Sequence, residues 1–317
     1  MKRLGLLILC VCGLACLPAH SFTPKDDDAL LREFMWQRFV DLPKNERPQI
    51  GLALSAGGVR GFAHVGVLEA LDNARVPIDY LSGTSMGSVI GGLYAAGLPT
   101  DKLWGLSEHI SMDTITPDFN VMGLFRFLFA RKLPTSANLA KFFEEQLGNM
   151  QFEDMPIPFT CSAMDVKTGE RVVFNSGPLA IAVRASMNLP GVFEPVEYRH
   201  RALVDGAVVD YLPVGSVQQM GADYIIASVT PLDFSSKTPT SILGYVNRVN
   251  DVRAAAMIEE ESRRANFVLT NRVLDTGTLE LNKLHQAGEV GIKEAYSKLG
   301  LLQEDLLLYA LPYVFKR

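Results

Sequence analysis

A chain of 317 residues is long enough for one large α/β domain or two smaller ones and can bury a sizeable core, which excludes a disulfide-stapled miniprotein. With 48% hydrophobic and 21% charged residues it lies near the average of soluble globular proteins, which excludes disorder over most of its length, collagen and coiled coil. Thirty basic against 35 acidic side chains give −5 without any Lys/Arg block, so no counterion-releasing nucleic-acid interface is expected.

Lys2 and Arg3 precede an apolar run from Leu4 to Leu17, too short to span a ~30 Å hydrocarbon core comfortably and followed by small residues. Ala19-His20-Ser21 places small side chains where a signal peptidase reads. Residues 1–21 are therefore expected to be an export signal cut before Phe22, giving a periplasmic or secreted protein. An uncleaved anchor helix is one alternative. Lipoprotein processing at Cys16 is another, since Leu14-Ala15-Cys16 resembles a lipobox that lacks the usual aliphatic residue three places before the cysteine. Cys10, Cys12 and Cys16 fall in the signal and leave Cys161 alone, which supplies neither a disulfide framework nor a metal site. The remainder holds no CxxC or HExxH, and no metal or cofactor is expected.

Residues 22–48 read as a helix starting at Thr23-Pro24, with Leu30, Leu31, Phe34, Met35 and Phe39 at helical spacing, followed by a polar linker over 41–48. From residue 49 short apolar strands alternate with helices: strand 50–55, helix 61–74, strand 78–82, helix 86–96. That alternation predicts a mostly parallel sheet covered on both faces. Residues 100–150 read as a helical insertion. Strands return at 159–166 and 171–174, joined by a Thr168-Gly169 turn that predicts a hairpin and so a mixed sheet. A helix at 179–186, a strand at 202–204, a helix between Pro213 and Gly221 and a strand at 224–229 complete a unit spanning 49–232. Residues 233–317 read as a mainly helical extension packed on the same domain: a long helix over 242–264, a strand at 267–270 and two terminal helices.

Gly83-Thr84-Ser85-Met86-Gly87 is a GxSxG sequence between a predicted strand and a predicted helix. A sharp strand-to-helix turn forces its central residue into a strained conformation, and Gly83 and Gly87 keep Cβ atoms away from neighbouring chain. Ser85 then projects its hydroxyl at the positive end of a helix, where an attacking oxygen is favoured. The plain alternative is a glycine-rich turn with a capping serine.

Ala56-Gly57-Gly58-Val59-Arg60-Gly61 follows a strand and opens a helix, so its amides can converge on an anion. An oxyanion hole with Gly57 and Gly58 as donors is one use; a phosphate loop or close packing are others. GxGxxG fails at Ala56, no GK[ST] follows, and no acidic residue ends a second strand as dinucleotide binding requires. Asp205-Gly206-Ala207 ends a short apolar strand where a carboxylate can reach the carboxyl edge of the sheet, although Asp-Gly by itself also simply makes turns. Ser186-Met187-Asn188-Leu189-Pro190-Gly191-Val192-Phe193 is a helix end followed by a proline-stiffened loop.

Together, in this order, these four pieces resemble the patatin-like phospholipase family over roughly residues 50–229. The resemblance implies a three-layer α/β/α fold with a central, mostly parallel but mixed sheet. It implies hydrolysis of lipid acyl esters by a Ser–Asp dyad through an acyl-enzyme, without metal. Ser85 resembles the family's nucleophile and Asp205 its base. Ala56 stands where the family usually has a first loop glycine and must keep a negative φ; Ala207 replaces the commoner second glycine of DGG. Arg60 matches the loop's arginine, which braces the loop together with Gly61 or meets a lipid phosphate.

A conventional triad needs a histidine after Ser85 and Asp205. Only His285 qualifies, in a helix-like context that suggests surface or packing, while His64 reads as a satisfied partial-core residue. A Ser–His–Asp esterase of soluble esters and a non-catalytic scaffold of the same fold are the competing readings. A lipid or other acyl ester is the expected partner. Leu124 to Lys132 combines apolar bulk with three cations, which fits either peripheral membrane contact or a lid, or else an ordinary helix burying its aromatics. The Leu306 to Leu311 run reads as core helix.

Overall fold

The computed structural model describes residues 24–109, 133–232 and 242–315, apart from 275 and 278, together with 234 and 240. In chain order, α1 (Pro24–Val40) leads to β1 (Ile50–Leu54), a 3-10 turn (Gly58–Phe62) and α2 (Ala63–Asn73). Then come β2 (Tyr80–Thr84), α3 (Met86–Ala95), α4 (Thr100–His109), α5 (Ala137–Leu147), β3 (Phe159–Asp165) and β4 (Arg171–Phe174). The chain continues through α6 (Leu179–Ser186), β5 (Val196–Tyr198), β6 (Arg201–Asp205), α7 (Val214–Gln219) and β7 (Tyr224–Val229). It ends with α8 (Ile242–Ser262), β8 (Phe267–Thr270) and α9 (Leu284–Val314).

The eight strands form one sheet in the order β5-β6-β3-β2-β1-β7-β8, with β4 paired to β3. From β3 through β2, β1 and β7 to β8 the pairings are parallel; β4 and β6 run antiparallel to β3, and β5 antiparallel to β6. The sheet is mixed, as the Thr168-Gly169 turn predicted. β1 and β7 are buried along their whole length, which is why they read as apolar runs rather than alternating ones. Alternate residues still serve opposite faces. Leu52, Leu54 and Ile226 enter a large core with α2, α3, α6 and α9, whereas Ala53, Ile225, Ala227 and Val229 meet Val214 and Val217 of α7 and Ile258 of α8. Helices thus cover both faces, and the fold is a three-layer α/β/α sandwich.

Three expectations need correction, and a fourth, the polar linker, gains an anchor. The helix predicted over 61–74 begins as a 3-10 turn at Gly58, so the glycine loop is itself wound. The two predicted terminal helices are one 31-residue helix: buried Ala287, Gly291, Ala295, Leu302 and Leu306 keep one continuous stripe across Gly300, and Pro312 falls only in the last turn. Fully burying each of the two leucines is worth about 2 kcal/mol. Gly66 and Gly291 let α2 and α9 approach closely, since a Cβ on Gly291 would lie 1.9 Å from the Ala63 carbonyl oxygen. The linker over 41–48 is polar but anchored: Arg47 makes a two-pronged contact with buried Asp79, at 2.5 and 2.9 Å, and Asp79 also accepts the Ile50 N–H. On α1, Trp36 and Phe39 are buried, yet Leu30, Leu31 and Phe34 of the predicted apolar set are exposed. The segment from Leu124 to Lys132 and residues 1–21 lie outside the described residues.

Candidate active site

Ser85 occupies the bend between β2 and α3 with φ 55° and ψ −124°. A non-glycine residue held there costs on the order of 1–3 kcal/mol, so the surroundings must over-determine the turn. They do. A Cβ on Gly83 would lie 2.2 Å from the Gly87 carbonyl oxygen, and one on Gly87 would lie 2.4 Å from that of Leu54. The Ser85 carbonyl oxygen accepts the Ser88 hydroxyl at 2.7 Å and the Ser88 amide at 2.8 Å. The serine is 6% exposed, at the floor of a cleft of about 400 Å³.

Asp205 arrives from β6. The β2–β3 register ends at Thr84 opposite Ser162, and β6 pairs with β3 from the next residue, Asp205 opposite Ala163. An antiparallel strand therefore delivers its last residue to the carboxyl end of β2. Gly206 permits the approach, because a Cβ there would lie 2.2 Å from the Ser162 carbonyl oxygen. The Ser85 hydroxyl donates to Asp205 Oδ2 at 2.5 Å. Asp205 Oδ1 accepts the Ala207 N–H at 2.8 Å, so the aspartate caps its own turn with one oxygen and meets the serine with the other. Burial pushes the carboxyl from the ordinary 3.8 up to about 6, against the pull of the Ser85 hydroxyl and the Ala207 amide. Ser162 and Asp210 make a similar contact next door, but Ser162 is fully buried and outside the cleft wall.

Gly57, Gly58 and Arg60 line the same cleft. Gly58 has φ 56°, in the region that favours glycine, while a Cβ on Gly57 would lie 2.2 Å from Thr230 Oγ1. Gly61 packs directly on the residue after the serine, with Met86 Cβ 2.7 Å from where its own Cβ would be. Ala56 avoids positive φ, and its carbonyl oxygen accepts the hydroxyls of Ser55 and Thr230. Arg60 sits beside Asp251, whose carboxyl burial pushes up and Arg60 and Arg248 pull down. The Arg60 Nε is buried without a hydrogen-bond partner.

His64 is fully buried beneath the loop. Its Nε2–H donates to the Ser55 carbonyl oxygen at 2.9 Å, so Nδ1 accepts from the Ser228 hydroxyl at 2.8 Å, and Asn271 donates to that same hydroxyl oxygen. Burial lowers its pKa to about 4, which keeps the imidazole neutral at pH 7. His285 is not in the cleft wall: on α9 its side chain is 66% exposed, 3.8 Å from Glu289 and tilted against the Trp104 ring.

Two contributors were not legible as such. Ser186 Oγ accepts the Ser85 backbone N–H at 3.0 Å, and the Asn188 carbonyl oxygen accepts the Asp205 N–H at 2.9 Å. One turn thus holds both partners. The segment is recognisable by its motif, but bonds to backbone carry no residue-type signature. The second is α8, which places Asn250, Asp251, Arg253 and Ala254 on the cleft wall.

Residues 52–217, more than half of the chain, match the patatin family, described as patatin-like phospholipase. The chain belongs to this family. Among patatin-like relatives, an uncharacterized NTE family protein of Mycobacterium tuberculosis is 37% identical over 183 residues, 57% of this chain and 48% of the relative. Lysophospholipase NTE1 of Scheffersomyces stipitis is 32% identical over 183 residues, 56% of this chain and 11% of that one. The chain therefore spans about half the length of the first and about a tenth of the second. Among solved structures, VipD of Legionella pneumophila superposes with a TM-score of 0.50 at 12% identity, covering 81% of this chain and 67% of that one. Human GIVD cytosolic phospholipase A2 does so with 0.50 at 14%, covering 90% and 64%. Both share the patatin-like fold.

Proposed function

We propose that the protein is a lipid acyl hydrolase, a serine esterase of phospholipase A or lysophospholipase type, with Ser85 as nucleophile and Asp205 as general base. The contact of 2.5 Å between Ser85 Oγ and Asp205 Oδ2 carries the reading. Asp205 takes the Ser85 proton as the hydroxyl attacks an ester carbonyl, and the alcohol leaves with a proton returned from the carboxyl group. An acyl-serine remains, and water hydrolyses it by the same proton path. A carboxylate is a weaker base than imidazole, and a carboxyl raised to about 6 narrows that gap. Gly57 and Gly58, on the wall beside the serine, are the proposed oxyanion donors; losing one such donor costs about 3 kcal/mol in the barrier. Arg60, which lines the cleft, is proposed to meet the substrate's phosphate.

The family membership and the relative named lysophospholipase support lipid over soluble esters. The exposed position of His285 gives a triad no support. The apolar segment near Met1 supports export, and amino-terminal sequencing of the periplasmic fraction tests it: Phe22 as first residue is expected, and a pool retaining Met1 contradicts it. For the activity, a panel of phospholipids, lysophospholipids and acylglycerols is incubated with wild type and Asp205→Ala and the products are read by mass spectrometry. Free fatty acid from at least one phospholipid, lost in the variant, is expected; no release from any lipid contradicts the proposal.

A further inference from the structure

Apolar side chains stand on both sides of the cleft. Leu189, Pro190 and Val192 form one wall, and Leu232 and Leu279 stand with α8 in the other. α8 is two-faced: Asp251 and Ala254 turn to the cleft, while Tyr245, Val249 and Val252, spaced i, i+4, i+7 on one side of the helix, are 54%, 68% and 56% exposed. Phe234, whose ring lies under Arg248 of this helix, and Leu279 of the cleft wall are also exposed. The half of α8 carrying these side chains holds Arg248, 5.6 Å from the Phe234 ring centroid, and exposed Arg253, which also reaches the cleft wall, against the one acid Asp251, which faces the cleft; Glu259, Glu260 and Glu261 come later and are paired with Arg263 and Arg264.

We infer that Tyr245, Val249 and Val252 of α8, with Phe234 and Leu279, form the surface by which the protein sits on an acidic lipid bilayer, joined to the cleft mouth through Leu279, which is both exposed and part of the cleft wall. The inference rests on the lipid-hydrolase reading and names where the lipid enters. An ester carbonyl held in a bilayer must reach a serine at the cleft floor, and a bilayer covers an apolar rim while supplying that ester. A protein docked on the same rim would instead cover the entrance. The cations suit anionic headgroups in a chain that is otherwise net acidic. Among the described residues no helix is long and apolar enough to cross a membrane, and side chains of this face insert at headgroup depth. A second exposed apolar patch, Leu30, Leu31 and Phe34 of α1 with Leu301 and Leu308 of α9, shares no element with the cleft wall, whereas α8 and Leu279 do, and serves as the control.

The test uses the full chain and sedimentation with vesicles of phosphatidylcholine and phosphatidylglycerol. The pair Val249→Asp/Val252→Asp, with the milder Val249→Ser/Val252→Ser, is compared with Leu301→Asp/Leu308→Asp, folding being checked by thermal melting. The α8 aspartate pair is expected to bind vesicles roughly tenfold less and the serine pair to lie between it and wild type, with the α9 pair binding like wild type. Turnover of a soluble short-chain chromogenic ester is expected to stay unchanged in the α8 pairs. Vesicle binding unaffected by both α8 pairs, or lost only in the α9 pair, overturns the inference. Because sedimentation reads binding without turnover, a wild type that binds vesicles through α8 but cleaves no ester refutes the hydrolase reading and leaves this surface standing.

Discussion

The hydroxyl oxygen of Ser186 accepts the backbone N–H of Ser85 at 3.0 Å, from a position 101 residues further along the chain. Ser186→Ala leaves that buried amide without its acceptor, a loss on the order of 1–3 kcal/mol. If Ser186 positions the nucleophile, kcat is expected to fall about tenfold with KM nearly constant, because the strained turn relaxes while the cleft wall stays in place. Steady-state kinetics beside a melting curve check this; lower stability with unchanged kcat reduces Ser186 to a structural role.

Asp205 sets the pH dependence of turnover. As a base it works only when ionised, so kcat/KM is expected to rise with pH through about 6 and level off above it. Its linkage to stability has the opposite sense. A carboxyl raised from 3.8 to about 6 by folding contributes stability fully below the ordinary value, and that stability is lost as pH rises through about 6. Asp205→Asn is therefore expected to be inactive yet more stable than wild type at pH 8, by up to about 3 kcal/mol, with the difference closing by about pH 4. Chemical denaturation at the two pH values measures it.

His64 acts in the other direction. Its pKa is depressed from 6.5 to about 4, so its contribution is present above 6.5 and is lost as pH falls through about 4. Melting temperature is expected to drop between those values in wild type and to change less in His64→Gln, whose neutral amide keeps a donor for the Ser55 carbonyl. An equal acid response in the two proteins contradicts a neutral, buried His64.

The bend at Ser85 offers a test of stored strain. Ser85→Ala and Ser85→Gly both remove the nucleophile, but only glycine tolerates φ 55° and ψ −124° without penalty. The glycine variant is expected to be the more stable by roughly 1–3 kcal/mol, read from denaturation midpoints.

The strand, bend and helix around Ser85 were legible because glycine spacing and an apolar run are local properties. Asp205 was legible as a carboxylate ending a strand, but not its route: it reaches β2 from an antiparallel strand that takes over the pairing of β3 at Ala163. Residue types near Val196 gave no hint of β5, whose three residues pair only with β6. The unbroken α9 was hidden because Gly300 looks like a stop, whereas packing against α2 and the strip from Ala287 to Leu306 carries the helix across it. Ser186, Asn188 and the polar net through His64, Ser228 and Asn271 depend on chain segments far apart in sequence, so only the assembled sheet brings them together.

The central claim concerns one hydroxyl and one carboxylate, and an active-site-directed fluorophosphonate addresses it most directly. Labelling rates are compared in wild type, Ser85→Ala, Asp205→Ala and His285→Ala, and the modified peptide is identified by mass spectrometry. The account predicts adduct on Ser85 alone, none in Ser85→Ala, labelling slowed about a hundredfold or more in Asp205→Ala, and a wild-type rate in His285→Ala. Adduct on another residue, or a rate that depends on His285 and not on Asp205, would contradict it.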